Sequence, residues 1–238
     1  GISIQLMANE RSEDFQQHFC GTHFVNPPRY LRLFEIIPGP KTQPEVLDKL
    51  SQFGDLVLGK ETVQAKDTPA FIANRVGVYA MAYIFKAAEN LDLPINVVDK
   101  LTGPALSRPK TGTFRLGDLV GLDVAKKVLS GMKEHCPEDN QVQALESSKA
   151  FDHLISNTWL GNKSGQGFYK KTGEKDENGK SIIHELNLNS LEYEPRQKRS
   201  LNSLSQSKQI EDPKRRIQAI TKAEDKGGQL LRDSFGAL

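Results

Sequence analysis

The sequence predicts an α/β segment followed by an all-α one. Two observations carry this. Short apolar runs alternate with a helical pattern through residue 65, as in a sheet with helical cover. From Lys66 onward the apolar residues recur at helical spacing, and the change falls at Asp67-Thr68-Pro69.

Each element follows from local signals. Residues 2–8 form a short apolar segment, and 9–14 a polar turn able to cap a short helix. Residues 19–26 are the first strand candidate and 31–37 the second, stopped by Pro38-Gly39-Pro40. Thr42 is expected to cap a helix opening at Pro44, with Val46, Leu47, Leu50 and Phe53 on its buried face and Gly54 as its end. Leu56-Val57-Leu58 and Thr62-Val63 read as extended pieces. Thr68 as N-cap and Pro69 in the first turn predict a long helix, with Ile72, Val76, Tyr79, Tyr83 and Ala87 on its apolar face. Pro94 opens another helix, which Gly103 ends. Further helices are expected over Phe114–Val120, after a cap at Asp123, and over residues 148–157. Asn178-Gly179 between two strand-like runs signals a hairpin. The expected divisions are 1–65, 66–171, a hairpin extension 172–194, a polar linker 195–215 and the start of a further helical segment at 216–238, weakened by Gly227-Gly228.

The 238 residues are 37% hydrophobic, enough for a core, and 26% charged. A net charge of +2 gives no argument for nucleic acid. Cys20 and Cys136 stand far apart with no metal-ligand spacing, so free thiols, no metal and a cytoplasmic location are expected. No apolar run approaches the roughly 20 residues of a membrane span. The chain opens on Gly1-Ile2 and closes in an apolar pattern at Leu230, Leu231, Phe235 and Leu238, so both ends are expected to continue in a longer polypeptide.

The chemistry centres on Gly21-Thr22-His23-Phe24-Val25-Asn26-Pro27, with Glu35 twelve residues after His23. An imidazole and a carboxylate in strand-like runs are candidates for a general base and the group that orients it. By pattern alone, a histidine among apolar residues is more often a structural group, and a strand glutamate more often faces water.

Four motifs in order resemble the L-3-hydroxyacyl-CoA dehydrogenase family. The first stretch is similar to its G-x-H-F-F-N-P, and Glu35 to the glutamate that follows that histidine. Lys66-Asp67-Thr68-Pro69-Ala70-Phe71-Ile72-Ala73-Asn74-Arg75 resembles K-D-x-P-G-F-I-x-N-R. Val120-Gly121-Leu122-Asp123 matches V-G-L-D, and the stretch from Lys163 to Tyr169 matches K-x-G-x-G-F-Y. The resemblance implies the C-terminal part of a Rossmann-type NAD domain followed by a helical C-terminal domain. It also implies oxidation of the 3-hydroxyl of an acyl-CoA in fatty-acid β-oxidation, with NAD as hydride acceptor. His23 would be the base, Glu35 its partner and Asn74 a holder of the substrate oxygen. Asn26 and Lys163 would contact the cofactor. A homodimer, or a place in a larger multidomain chain, is implied as well.

Two departures are small: Val25 replaces a second Phe, and Ala70 replaces Gly. A third is larger, because no G-x-G-x-x-G occurs; in the family it lies upstream of the histidine. The substrate-contacting serine is likewise expected before Gly1, so Ser3 is not its counterpart. The tail, with Lys222-Ala223-Glu224-Asp225-Lys226-Gly227-Gly228, resembles the large bacterial members. Two readings remain open: part of an NAD-dependent dehydrogenase, or a non-catalytic module for dimerisation or acyl-CoA docking.

Overall fold

The computed structural model describes residues 2–237. They form two compact units, one of residues up to 77 with 130–137, the other of 78–129 with 138 onward.

The first unit is built on a three-stranded sheet of β1 (Cys20–Phe24), β2 (Leu33–Pro38) and β3 (Glu61–Gln64), in the order β1-β2-β3. β1 runs antiparallel to β2, and β3 parallel to it. β2 is central, and Phe34, Glu35, Ile36 and Ile37 are all buried, which explains its nearly unbroken apolar run. Two short helices precede the sheet, α1 (Ile4–Ala8) and α2 (Glu13–His18). Ser3 and Ser12 cap them, each side-chain oxygen accepting from an amide three residues on. The apolar segment 2–8 is therefore largely helical. Asp67 fixes α1 by accepting from Ser3 Oγ at 2.6 Å and the Gln5 amide at 2.9 Å.

The link from β2 to β3 departs from expectation. α3 (Pro44–Gln52) has proline in its first turn, but Gln43 occupies the N-cap. The Thr42 hydroxyl is engaged elsewhere, accepting from the Gly39 amide at 2.8 Å and donating to the Phe19 carbonyl at 2.6 Å. Gly54 does not end the helix, which continues as one turn of π-helix, Phe53–Val57. A Cβ at Gly54 would lie 2.5 Å from Thr62 Cγ2 and 2.9 Å from the Phe34 ring, so glycine is needed there for close approach. Val46, Leu47 and Leu50 are half-buried and Phe53 is exposed, so the expected buried face is only partly covered. Leu56 and Val57, read as extended, are in the π turn and face outward.

α4 (Ala73–Asn90) starts later than Thr68 and Pro69 suggest. Ala70 and Phe71 have φ of +66° and +50°, which breaks right-handed helix at that point. Thr68 closes this turn by accepting the Phe71 amide through its carbonyl at 3.0 Å. The buried stripe is Met81, Ile84, Phe85 and Ala88, whereas Ile72 and Val76 are exposed and Tyr79, Tyr83 and Ala87 half-buried. The two stripes differ by about one residue in phase, so the aromatic pair misled the sequence reading.

The second unit contains α5 (Ile95–Thr102), α6 (Phe114–Val120), α7 (Leu122–His135) up to residue 129, α8 (Asn140–Ala144) and α9 (Lys149–Ser156). Pro94, Gly103 and Ser148 take their expected terminal positions. Asp123 lies inside the first turn of α7 and not at its cap. The core is aromatic: Phe85 lies 4.9 Å from Phe114 and 4.6 Å from Phe168, centroid to centroid. The hairpin over Asn178-Gly179 is present as β4 (Tyr169–Lys175) and β5 (Ser181–Leu186), and a third antiparallel strand, β6 (Tyr193–Pro195), completes that sheet. Residues 195–215, expected as a linker, include α10 (Asn202–Gln209), which buries Ser203 and Leu204. α11 (Pro213–Lys222) and α12 (Lys226–Gly236) follow. Gly227 and Gly228 do not weaken α12. They let its first turn approach closely, since a Cβ on Gly228 would lie 2.1 Å from the Ala223 carbonyl oxygen. Leu230 and Leu231 are fully buried, and Leu238 lies outside the described residues. No described helix is long and apolar enough to cross a membrane, and no metal-ligand cluster occurs among the described residues.

Buried carboxylates organise this unit. Asp99 accepts from the Phe114 amide at 2.6 Å, the Arg115 amide at 3.1 Å and the Tyr169 hydroxyl at 2.7 Å. Asp118 accepts from the Phe168 and Tyr169 amides, both at 2.9 Å. Burial pushes each up to about 6 despite these donors. Glu185 is pushed up to about 7 by burial. Its Oε2 has no hydrogen-bond partner among the described residues, and its Oε1 accepts from the Gln197 amide at a long 3.5 Å. A carboxyl whose folded-state value lies above its unfolded one binds a proton more readily when folded. Its contribution to stability is full below the unfolded value of 4.5 and is lost as pH rises through about 7. Glu185→Gln is therefore expected to raise the melting temperature at pH 8 by at least about 2 °C, the effect of roughly 1 kcal/mol in a chain of this size. It should give little change at pH 5. Thermal melts at the two pH values check this; an equal change at both would refute the titration argument.

Candidate active site

The site begins with strand register. β1 and β2 pair so that His23 stands directly opposite Glu35. Side chains opposite each other on an antiparallel pair share a face about 5 Å apart, so the pairing itself brings imidazole and carboxylate together. His23 Nδ1 donates to Glu35 Oε2 in a short hydrogen bond. Glu35 is fully buried, while His23 keeps about a quarter of its side chain exposed.

The other oxygen of Glu35 is also committed. Oε1 accepts from the Ile72 amide at 2.8 Å and the Ala73 amide at 2.9 Å. These amides lie at the N-terminus of α4, where unpaired N–H groups and the helix dipole favour a negative charge. The left-handed turn at Ala70 and Phe71 aims them at Glu35. A buried charge with three donors is satisfied, whereas one with fewer would cost several kcal/mol. Phe71 packs beside the imidazole, with ring centroids 5.7 Å apart. With Nδ1 held as the donor, Nε2 of His23 is left as the accepting nitrogen. That is the tautomer a general base requires.

The remaining predicted residues divide between the units. Asn26 is exposed, just past the end of β1, and Asn74 is exposed in the first turn of α4, next to the amides that Glu35 binds. Lys163 belongs to the second unit. It lies in a 3-10 turn, Asn162–Ser164, and forms a close ion pair with Asp123 of the V-G-L-D stretch. That partner holds the Asp123 carboxyl below the usual carboxylate range through its hydrogen bond. A Cβ on Gly121 would lie 3.0 Å from Lys163 Nζ, so two of the quoted motifs meet here. Sequence reasoning missed the role of Asp123, which it took for a cap, and that of Phe71. Neither has a spacing signal, because both depend on tertiary approach.

Residues 1–68 match the model of the 3-hydroxyacyl-CoA dehydrogenase NAD-binding domain, and residues 71–171 match that of the same enzymes' C-terminal domain. Together they span about seven-tenths of the chain. The chain belongs to the 3-hydroxyacyl-CoA dehydrogenase family. NAD is the cofactor of the domain to which its first 68 residues correspond. A probable 3-hydroxyacyl-CoA dehydrogenase of Bacillus subtilis is 40% identical over 97% of this chain and 28% of its own length. One of Deinococcus radiodurans is 46% identical over 74% of this chain and 50% of its own. The chain thus spans between about a quarter and a half of these relatives' lengths. Among solved structures, a 3-hydroxybutyryl-CoA dehydrogenase from Escherichia coli K12 is similar with a TM-score of 0.61 and 29% identity, over 74% of this chain and 36% of that one.

Two outcomes test the local geometry. In the active dehydrogenase, Glu35→Gln keeps an oxygen for the amides of α4 but presents an NH2 to His23. This forces the proton onto Nε2 and should lower turnover by about 10³–10⁴-fold, as a wrong tautomer does in related dyads. Rates within tenfold of the parent would show that Glu35 is only a structural cap. Ala70→Gly should stabilise the first unit by about 0.5–1 kcal/mol. The strain of a left-handed alanine, about 1–2 kcal/mol, outweighs the added freedom of glycine when unfolded. Urea denaturation measures it, and destabilisation would refute the strain argument.

Proposed function

We propose that this chain carries the catalytic base of an NAD-dependent oxidation of L-3-hydroxyacyl-CoA to 3-oxoacyl-CoA in fatty-acid β-oxidation. The observation that carries the reading is the His23–Glu35 pair, with Glu35 locked by two amides of α4. In this reading His23 Nε2 takes the proton of the substrate 3-hydroxyl, and Glu35 stabilises the imidazolium that forms. Asn74 offers its amide to the substrate oxygen. Proton removal by a positioned histidine contributes about 10²–10⁴-fold.

When bound, NAD accepts the hydride that leaves the carbon. The residues present fit its hydride-exchanging end. Asn26 lies just past the end of β1, three residues after His23, and is exposed; Lys163, carried over from its motif alone, pairs with Asp123 in the second unit. No G-x-G-x-x-G occurs in the chain, so these residues do not fit the pyrophosphate of the cofactor. The second reading is a non-catalytic module for dimerisation or acyl-CoA docking. Assembly as a homodimer or within a multidomain chain belongs to both readings.

The two are separated by His23→Gln in the active dehydrogenase. The catalytic reading expects kcat to fall by at least about 10²-fold, with NAD affinity by calorimetry unchanged. A near-parental kcat would leave only the docking module.

A further inference from the structure

The second unit contains a cleft of about 240 Å³ formed by the end of α5, the 3-10 turn Pro104–Leu106, residues 199–201 and α10. It includes none of the residues assigned above to catalysis or cofactor. Three cations, Lys100, Arg199 and Lys208, line it, and no carboxylate does among the described residues. Arg199 is spent on Asp92, donating to its carbonyl at 2.9 Å and facing its carboxylate at 3.6 Å. Lys100 and Lys208 are exposed and have no ion-pair partner among the described residues. The floor is apolar, with Ala105 and Leu204 buried beneath it.

The donors can be sorted further. Ser205 Oγ donates to the Leu201 carbonyl at 3.2 Å and Ser207 Oγ to the Leu204 carbonyl at 2.7 Å, so those hydroxyl protons are committed. The N-terminus of α10 is committed as well, because Asp225 accepts from the Ser203 amide at 2.8 Å. Charge for a ligand therefore comes from the two lysines, and Ser200 also lines the cleft. Two uncommitted ammonium groups match a dianion better than a monoanion. A phosphate monoester carries about −1.5 to −2 at pH 7 and three acceptor oxygens. The apolar floor and a volume larger than a bare phosphate call for an organic body on that phosphate.

We propose that this cleft is a binding site for a small phosphate monoester, its phosphate held by Lys100 and Lys208 and its uncharged body seated over Ala105, Leu201 and Leu204. The site lies wholly within the second unit and does not depend on the role of His23.

Phenyl phosphate is the probe, titrated into the chain and followed by amide NMR, with inorganic phosphate and phenol in parallel. Phenyl phosphate is expected to shift the amides of residues 100–106 and 199–208, and to bind more tightly than either control. In the double variant Lys100→Gln, Lys208→Gln its affinity should fall at least about tenfold, the equivalent of 1.4 kcal/mol. Both lysines are exposed, so the variant keeps its fold, and the wild-type shift map stands without it. Shifts confined to other residues, no saturable shift, equal binding of inorganic phosphate, or unchanged affinity in the double variant would each overturn the proposal.

Discussion

The buried carboxylate of Glu35 is the interaction on which the first unit depends. One oxygen orients an imidazole and the other collects two amides at the start of α4. A fully buried charge is costly, and only this set of donors makes it tolerable. The same donors supply the directionality a base requires, since they leave Glu35 no other arrangement. Folding and positioning are therefore one problem here. The left-handed pair Ala70 and Phe71 is part of the solution, as it turns the chain so that the amides of Ile72 and Ala73 point at the sheet.

The second unit uses the same device repeatedly for architecture alone. Asp99 holds the start of α6, and Asp118 holds the amides of Phe168 and Tyr169. Glu89 holds Ser148 and Ala150 at the start of α9, and Asp225 holds the start of α12. Each is a carboxylate buried or half-buried against backbone donors that would otherwise be orphaned. Only Glu35 adds an imidazole. What separates a structural cap from a positioning group is thus a single neighbour across the sheet.

Much of this was legible in the sequence. The strands around His23 and Glu35, helix α6 to the residue, and the hairpin at Asn178-Gly179 follow from periodicity and turn chemistry. The family was legible from motif order. What failed shares a cause. Thr42, Thr68 and Asp123 all have the chemistry of helix caps, yet Thr42 bonds the end of α2, the carbonyl of Thr68 closes a turn, and Asp123 faces a lysine forty residues away. A capping residue carries no label saying which backbone it will meet. Gly54 and Gly228 likewise read as breakers but are close-approach positions. Residues 195–215 read as solvated because their few apolar side chains are the ones that dock, and composition averages them away.

The pairing of β1 with β2 has a consequence for how such chains can diverge. The eleven residues between His23 and Glu35 comprise strand ends and a loop, and only the strands set who faces whom. Insertions in the turn beyond Asn26 would change the spacing while leaving the facing pair intact. A single deletion within β1 would leave the spacing nearly unaltered but put Thr22 or Phe24 opposite the carboxylate. Distance along the chain is thus a record of loop length, and a lineage could lengthen it freely while the two strands remained closed to insertion.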